Sequence, residues 1–491
     1  MQRQVSRETR RPSGTDSDAD AGSVFHSYSA VALRSLLAQK HISALELTDA
    51  YLARIDQVNP SINAIVTLVP DHARQIARRI DQQIAHGQDP GLLAGLPVAH
   101  KDLAETQGIR TTFGSRLFAD HIPKHNALIV QRMLNAGAVT LGKTNTPEFG
   151  AGSQTFNEVF GTSLNPYDLT KTPGGSSGGA AAALAARLVA LADGSDMGGS
   201  LRNPASFCNV VGFRPSPGRV PTYPSDMAWF NVPVVGPMAR TVEDCALFMA
   251  AIAGPDSRVP IALNAPGTDF LEPLKRDFTG ARIGFSADFA GQIPIAREVS
   301  AAINNSASVF ESLGCRLEEA CPDFTDADRI FKTLRAWSMA AAHGPRLKQH
   351  RDLYKDTLIW NIEQGLALTG ADIATAEHMR TRLFQRLSTL MSAVDFLVLP
   401  VCQVTPFSAT IEYPTEIEGV PMETYIDWMK SCYYLSSIGL PCISVPCGFT
   451  PQGLPVGVQI VGRPQADFSV LQLAYAFQQA TLHWQTLPKL A

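Results

Sequence analysis

Two clusters of glycine and serine contain the hydroxyl groups best placed for chemistry in this chain. The first spans residues 173–179, Pro-Gly-Gly-Ser-Ser-Gly-Gly, and the second spans residues 194–200, Gly-Ser-Asp-Met-Gly-Gly-Ser. Glycine at this density allows backbone conformations closed to other residues and lets the chain approach a ligand closely. A serine hydroxyl becomes a useful nucleophile when a neighbouring group removes its proton. The clusters therefore indicate nucleophilic catalysis by serine, the alternative being tight turns or a linker.

Lys101 is the candidate base for such a serine. It follows Val98 and Ala99 in an apolar stretch, residues 93–102, which is predicted to be an inner strand entered through a Gly-Leu-Pro turn. Burial removes water from an ammonium group and lowers the pKa of a lysine, so a buried Lys101 would be available as a neutral amine. The alternative is a lysine at a strand end that reaches water.

Other sites fit the sequence less well. A phosphate-binding loop requires Gly-Lys-Ser/Thr at the start of a helix, and neither cluster has it. A dinucleotide-binding loop requires an apolar strand ahead, but residues 165–172 are polar and contain proline. Residues 174–178 match the Gly-x-Ser-x-Gly nucleophile elbow, yet the strand that this motif needs directly ahead is absent. His121 and His125 have a metal-ligand spacing without an acidic or cysteine partner, so no metal site is predicted.

The lysine stretch and the two clusters together resemble the amidase signature family. The matching segments are residues 95–102 (Gly-Leu-Pro-Val-Ala-His-Lys-Asp), 174–179 and 194–204, with further similarity at residues 142–145, 236–240 and 439–449. The resemblance covers about residues 30–480. It implies an α/β fold, namely one large amidase-signature-type domain in which helices surround a mixed, twisted β-sheet core.

The resemblance also implies a Ser-Ser-Lys catalytic triad. Ser200 would be the nucleophile, Ser176 the bridging serine and Lys101 the base. In the family a cis peptide bond precedes the bridging serine, which here is the Gly175–Ser176 bond. Ser176 would pass protons between Lys101 and Ser200, and later to the leaving amine. The reaction would be acyl transfer through a serine acyl-enzyme, which requires no cofactor.

The residues around Ser200 are expected to stabilise the charged intermediate of this reaction. Backbone N–H groups, including that of Ser200 itself, can converge on the oxygen of a tetrahedral intermediate to form an oxyanion hole. The other residues of this predicted oxyanion hole are Met197, Gly198 and Gly199. The residues expected to hold this turn from behind are Ser177, Asp196 and Arg202. For Asp196 and Arg202 the alternative is a simple surface ion pair.

Aromatic residues predict an apolar substrate. The expected pocket residues are Trp229, Phe230, Trp428 and Tyr433, although aromatic side chains also serve as core. The expected enzyme is an amidase that hydrolyses linear carboxylic amides with hydrophobic acyl or aryl groups, with esters and carbamates as related substrates of the same oxyanion hole. The expected partner is a small-molecule amide rather than nucleic acid or a membrane, and a homodimer is left open.

The main rival within the family is the glutaminase subunit of a tRNA-dependent amidotransferase, which works in a complex. That subunit carries an acidic residue just before its late Gly-Leu-Pro segment, where it holds the amino group of glutamine. The matching position here falls near Met429, with Asp427 two residues away. The aromatic surroundings favour an apolar substrate over glutamine.

The elements that must position these residues alternate between helix and strand. Ser43 and Glu46 form a capping box that opens a helix, and residues 180–191 are predicted to be a buried helix that runs into a short strand. Residues 1–25 are predicted to be a disordered tail, and residues 26–491 the catalytic domain. Within this domain, a helical excursion over about residues 254–394 is expected to cover the core.

Composition limits the class of protein. Apolar residues make up 45% and charged residues 18%, and the net charge is −4, which argues against the basic surface of a nucleic-acid-binding protein. The longest apolar runs are too short to cross a bilayer. The eight cysteines include no Cys-x-x-Cys pair, as expected of reduced thiols. A cytoplasmic location is therefore predicted.

Overall fold

The computed structural model describes residues 25–490, so the predicted tail over residues 1–25 lies outside the described residues apart from Phe25. The described range contains fifteen strands, of which eleven form one sheet. These strands are β1 (Ile65–Leu68), β2 (Pro97–Lys101), β3 (Val139–Thr144), β4 (Phe156–Asn157), β5 (Gly161–Thr162), β6 (Leu191–Asp196), β7 (Val211–Arg214), β8 (Val234–Ala239), β9 (Arg282–Phe285), β10 (Arg316–Glu319), β11 (Phe396–Pro400), β12 (Glu416–Ile417), β13 (Val420–Pro421), β14 (Cys442–Phe449) and β15 (Pro455–Val461).

Helices cover this sheet. Those in the described range are α1 (Ala30–Ala38), α2 (Ala44–Ile62), α3 (Pro70–Ala85), α4 (Leu128–Asn135), α5 (Gly178–Ala185), α6 (Arg202–Phe207), α7 (Val242–Ile252), α8 (Arg297–Ser312), α9 (Ala327–His350), α10 (Asp356–Leu366), α11 (Gly370–Ala393), α12 (Lys430–Ser436) and α13 (Asp467–Thr481). The predicted capping box is confirmed at the start of α2, where Ser43 and Glu46 bond each other's backbone N–H groups. No helix among residues 25–490 combines the length and apolarity that a membrane-spanning segment needs.

The large sheet is mixed, as the sequence predicts. Its strand order is β1-β3-β2-β6-β8-β7-β14-β15-β11-β9-β10. Strands β3, β2 and β6 run parallel to one another, and so do β11, β9 and β10, whereas the strands between these groups pair antiparallel. Strands β2, β3, β11 and β15 are buried along their whole length, which is typical of a sheet covered on both faces. The expected single domain with an α/β core is confirmed.

The segment between the two glycine–serine clusters forms α5 and then β6. Every residue of α5 is buried, and its small side chains let the helix lie close to the sheet. A Cβ atom on Gly179 would lie 2.3 Å from the backbone nitrogen of Asn145, just beyond β3. A side chain at this position is therefore excluded by contact with the backbone. The predicted buried helix is confirmed, and the strand that follows it begins at Leu191.

Residues 254–394 do more than cover the core. They include helices α8 to α11 and strands β9 and β10. Strand β9 pairs in parallel with β11, so this segment completes one end of the sheet. Strand β10 lacks an apolar pattern because it is an edge strand whose residues, Arg-Leu-Glu-Glu, are mostly exposed.

Candidate active site

The candidate catalytic residues lie where two neighbouring parallel strands end. Lys101 is the last residue of β2, and Asp196 is the last residue of β6, which pairs with β2 in parallel. Carboxyl ends of parallel strands meet at one edge of a sheet, where α/β proteins commonly bind ligands. Ser176 lies at this edge two residues before α5, and Ser200 lies in the turn between β6 and α6. The topology thus brings together residues that the sequence separates by about a hundred positions.

Lys101 contacts three serine hydroxyls. Its Nζ lies 2.7 Å from Ser176 Oγ, 2.9 Å from Ser177 Oγ and 3.1 Å from Ser195 Oγ. Its side chain is only 1% exposed. A neutral lysine has two N–H donors and one lone pair, so three hydroxyl partners satisfy it completely when one of them donates to nitrogen. The structure therefore places both Ser176 and Ser177 beside the predicted base.

Burial lowers the pKa of Lys101 to about 7, against the opposing charges of Asp193 and Asp196. Asp193 also fixes the strand, because one of its carboxylate oxygens accepts the Lys101 backbone N–H at 2.8 Å. His100 is buried beside Asp193 and contacts Thr140 Oγ1 at 3.0 Å. It packs behind the base and does not contact the serines.

Ser176 and Ser200 line the same cavity, whose volume is about 390 Å³. The Gly175–Ser176 peptide bond is cis, in agreement with what the resemblance implies. Gly150 also lines this cavity, and a Cβ atom there would lie 3.4 Å from Ser176 Oγ. The bridging serine and the candidate nucleophile thus share one cavity, and the base is in hydrogen-bond contact with the bridging serine.

The turn before Ser200 is organised by the carboxylate of Asp196. This carboxylate accepts the backbone N–H groups of Gly199 at 2.9 Å and Leu201 at 3.2 Å. It also pairs with Arg202 at 3.0 Å and with Arg214 at 3.2 Å, and all three side chains are fully buried. Burial alone would raise the pKa of Asp196, but the two guanidinium groups hold it well below its usual range. A buried ion cluster therefore replaces the surface pair considered from the sequence.

Arg214 belongs to this cluster although sequence reasoning did not place it there. Its guanidinium donates to both the side chain and the backbone carbonyl of Asp196. The one available signal was an arginine in the buried segment Gly-Phe-Arg-Pro-Ser, residues 212–216. Ser195, which contacts Lys101, was also missed.

The predicted oxyanion hole changes in one respect. Because the N–H of Gly199 donates to Asp196, it is not available to a substrate oxygen in this arrangement. In the described part of the chain, the N–H groups of Met197, Gly198 and Ser200 donate to no protein group. Gly199 has instead a steric role, since a Cβ atom there would lie 2.4 Å from Cys432 Cβ and its φ is +112°. Cys432 therefore excludes a larger residue at this position.

Of the four aromatic residues predicted to form the pocket, only Phe230 lines the cavity. Trp229 does not line it and is 78% exposed. Trp428 is buried between Phe207 and Phe407. These two tryptophans therefore require correction as pocket residues.

Tyr433 requires the same correction. It is buried and stacks on Phe331 with a ring separation of 4.2 Å, while its hydroxyl bonds Asp328. The cavity wall is formed mainly by the segment between β7 and β8 and by α9. Its apolar members include Val220, Met227, Phe230, Ile261 and Met339.

The pair His121 and His125, for which no metal site is predicted, has an acidic neighbour in the structure. Glu105 lies between His121 and His125, 3.5 Å and 2.7 Å from their ring nitrogens, so these histidines do have an acidic partner. Even so, no three side chains among residues 25–490 are arranged to hold a metal ion.

Asp427 lies outside the cavity wall and pairs with Lys332 Nζ at 2.6 Å.

Comparison with known proteins identifies the family. The family model described as Amidase matches residues 46–471. The chain belongs to the amidase signature family. As a member of this family it is an enzyme that hydrolyses amides.

Two kinds of amidase signature proteins are similar to this chain along nearly its whole length. A glutamyl-tRNA(Gln) amidotransferase subunit of Thermosynechococcus vestitus is 35% identical over 484 residues, which cover 93% of this chain and 99% of that protein. An acylamidase of Rhodococcus erythropolis is 36% identical over 457 residues, covering 92% and 95%. Sequence identity therefore does not separate the two kinds.

Solved amidase signature structures share the fold. A bacterial aryl acylamidase of the family superposes with a TM-score of 0.88 at 31% identity, covering 94% of this chain and 98% of that chain. The corresponding glutamyl-tRNA(Gln) amidotransferase subunit from Thermotoga maritima superposes with a TM-score of 0.75 at 28% identity, covering 93% and 95%.

Proposed function

We propose that this protein is a stand-alone amidase for hydrophobic acyl or aryl amides, with Ser200 as nucleophile, Ser176 as bridging serine and Lys101 as base. The observation that carries the proposal is the position of Lys101 Nζ, which is buried and lies 2.7 Å from Ser176 Oγ, while Ser176 lines the same cavity as Ser200. A lysine whose pKa is about 7 is neutral in a large fraction of molecules at neutral pH.

The first half of the reaction forms the acyl-enzyme. Ser200 Oγ attacks the amide carbonyl carbon while its proton passes through Ser176 to Lys101. The carbonyl oxygen becomes an oxyanion, which the free N–H groups of the Ser200 turn can stabilise, each contributing about 3 kcal/mol of barrier reduction. Collapse of the intermediate breaks the C–N bond. The proton returns from Lys101 through Ser176 to the leaving nitrogen, so that a neutral amine departs.

The second half releases the acid. Water attacks the ester carbonyl, and its proton passes to Lys101 as the new C–O bond forms. The bond to Ser200 Oγ then breaks, and Lys101 returns the proton through Ser176 to the serine. The same steps accept an ester or a carbamate, because both present a carbonyl with a leaving group.

The apolar cavity wall supports a hydrophobic substrate. Val220, Phe230 and Met339 contribute apolar surface to this wall. Asp196 carries the buried carboxylate at the cavity, and this carboxylate is already paired with Arg202 and Arg214. An apolar group that enters such a cavity gains the free energy of leaving water, about 25 cal/mol per Å² of buried surface. Anilides and other aryl amides match this wall.

A second candidate function is the glutaminase subunit of an amidotransferase complex, favoured by the 35% identity to the glutamyl-tRNA(Gln) amidotransferase subunit. The surroundings of Asp427 weigh against it. Its carboxylate accepts Lys332 Nζ at 2.6 Å and the Thr424 backbone N–H at 2.7 Å, and it does not line the cavity. A carboxylate engaged in this way is a poor site for the amino group of glutamine.

The chain purified alone should be assayed on an anilide, a carbamate, an ester and glutamine. We expect hydrolysis of the anilide without any partner protein, and loss of that activity in Ser200→Ala. Glutamine hydrolysis that is seen only in the presence of a partner protein would overturn the proposal in favour of the second candidate.

A further inference from the structure

Arg335 is a buried cation in the wall of the substrate cavity. It lies on α9, is 4% exposed and lines the cavity beside the Ser200 turn. Its Nε donates to Asn361 Oδ1 at 3.0 Å, its Nη2 donates to Tyr425 Oη at 3.0 Å, and its Nη1 lies 3.7 Å from Met197 Sδ. All three partners are neutral. Among residues 25–490, no carboxylate forms an ion pair with this guanidinium.

This setting differs from that of the other fully buried arginines near the site. Arg202 and Arg214 share the carboxylate of Asp196, so their charges are compensated within the protein. Burying a charge without a counter-charge is strongly unfavourable, and proteins usually pair such groups. Arg335, in the cavity wall, has no such partner among residues 25–490.

The neighbouring charges do not supply one. Lys355 Nζ lies 5.9 Å from the centre of the Tyr425 ring, and the Arg335 guanidinium lies 5.6 Å from the same centre. The carboxylates in this region, Glu412 and Glu148, contact Lys355, the first through Nζ at 3.5 Å and the second through the backbone N–H at 2.9 Å. They leave Arg335 without an anion.

The free donors of Arg335 suit an anion from the substrate. A guanidinium has five N–H groups, of which the contacts described above use three. One N–H remains on each terminal nitrogen, and paired donors of this kind match the two oxygens of a carboxylate. Asp226, the other acidic residue at the cavity besides Asp196, lies on an exposed loop.

We propose that Arg335 binds a carboxylate carried by the substrate, so that the preferred amides combine an apolar body with an anionic group away from the scissile bond. This inference rests on the proposed function and narrows its substrate class. Met197 joins Arg335 to the Ser200 turn, which places the bound carboxylate within reach of a substrate whose carbonyl is at Ser200. The carboxylate can belong to the acyl group or to the amine, and the experiment distinguishes these sources.

Two matched pairs of anilides test the proposal on the whole chain. Propionanilide and succinanilate differ by a carboxylate on the acyl side, whereas acetanilide and 4-acetamidobenzoate differ by one on the amine side. We expect kcat/KM to favour the anionic member of one pair by about tenfold to a hundredfold, the range for a hydrogen-bonded charged group. The pair that shows the preference identifies the side. Wild-type ratios of one or less for both pairs would overturn the proposal.

Variants connect the preference to Arg335. Arg335→Met should reduce the ratio of anionic to neutral kcat/KM to about one, and Arg335→Lys should retain part of it because the charge stays. Arg329→Met, which removes a positive charge from the exposed side of the same helix, is the matched control and should keep the wild-type ratio. A ratio unchanged in Arg335→Met would contradict a direct contact.

Binding to Ser200→Ala, measured by calorimetry, makes the test independent of turnover. If the wild type hydrolyses no anilide, the proposed function fails, yet tighter binding of succinanilate or 4-acetamidobenzoate than of its neutral partner would still support the role of Arg335. Equal or weaker binding of both anionic members would overturn it.

Discussion

Two buried lysines, Lys101 and Lys143, lie on the neighbouring parallel strands β2 and β3 and face similar surroundings, but only one of them contacts serines. Both side chains are at most 1% exposed. Burial lowers the pKa of Lys101 to about 7 and that of Lys143 to about 8. Nearby carboxylates oppose the shift in both cases, so electrostatic environment alone does not separate them.

The difference lies in the acceptors. Lys143 Nζ donates to the backbone carbonyl of Ala104 and to Thr106 Oγ1, the latter at 2.8 Å. A carbonyl oxygen can only accept, so it favours the protonated amine and cannot return a proton. The Thr106 hydroxyl donates its own proton to the same Ala104 carbonyl at 3.1 Å. Lys101 instead contacts three serine hydroxyls, which can both donate and accept. Lys101 lines a cavity of about 470 Å³ that shares Ser195 with the cavity of Ser176 and Ser200, whereas Lys143 lines neither cavity. Burial brings the pKa of a lysine close to neutral pH. To act as a base, the lysine also needs hydroxyl partners that can give it a proton and take the proton back.

The largest effect is expected from removing Lys101. Lys101→Met should lower kcat/KM for an anilide roughly 10⁵-fold, because the serine relay then has no proton acceptor. Circular dichroism should show that the variant remains folded. A residual rate within a hundredfold of the wild type would remove Lys101 from the role of base.

Removing Lys143 should act on stability instead. Burial raises the pKa of the Asp102 carboxyl, and Lys143→Met takes away a positive charge that opposes this rise. It should reduce the free energy of unfolding by about 3 kcal/mol, the cost of leaving a buried charge without its partner. Urea denaturation measures this loss, and kcat of the folded fraction should stay near the wild-type value. A large loss of kcat with unchanged stability would show that the two lysines are functionally alike.

The pH dependence should report one lysine only. Because the base must be unprotonated, kcat/KM should fall about tenfold per pH unit below the Lys101 pKa of about 7 and level off above it. Lys143, with a pKa of about 8, should add no second step to the profile. A rate that stays flat down to pH 5 would contradict a lysine base.

The smallest effects should come from the two hydroxyl partners. Ser177→Ala removes a hydrogen-bond acceptor 2.9 Å from Lys101 Nζ. It should lower kcat/KM about tenfold, because the amine loses one of the hydrogen bonds that hold it in place. Thr106→Val, the matched change at Lys143, should cost only about 1 kcal/mol of stability with kcat retained. Equal kinetic effects of the two variants would remove the distinction between the lysines.

The sequence predicted the parts of this molecule that are encoded locally. The glycine–serine clusters and the Lys101 stretch are short segments whose residue types already specify a close backbone approach or a buried amine. The strand order then brings them together, and the mixed sheet was expected from the alternation of elements and the family resemblance.

What the sequence could not provide depends on contacts between distant segments. Trp428 has the residue type of a pocket wall, but Phe207 and Phe407 enclose it. Arg335 gave no local signal, because its importance comes from the absence of a carboxylate around its position in the described part of the fold. The hydrogen bond from the Gly199 N–H to Asp196 likewise depends on the orientation of the Asp196 side chain, which the sequence does not reveal.

The catalytic residues and the cavity wall come from different segments of the chain, and this has a consequence for how such an enzyme can evolve. The base, the serines and the ion cluster that supports them come largely from β2, α5, β6 and the turns beside them, whereas the wall comes largely from the segment between β7 and β8 and from α9. Substitutions in the wall can therefore alter which amides enter without disturbing proton transfer. In evolutionary terms, the recognition surface is free to diversify while the reaction chemistry is retained, and directed evolution of new specificities should begin in α9.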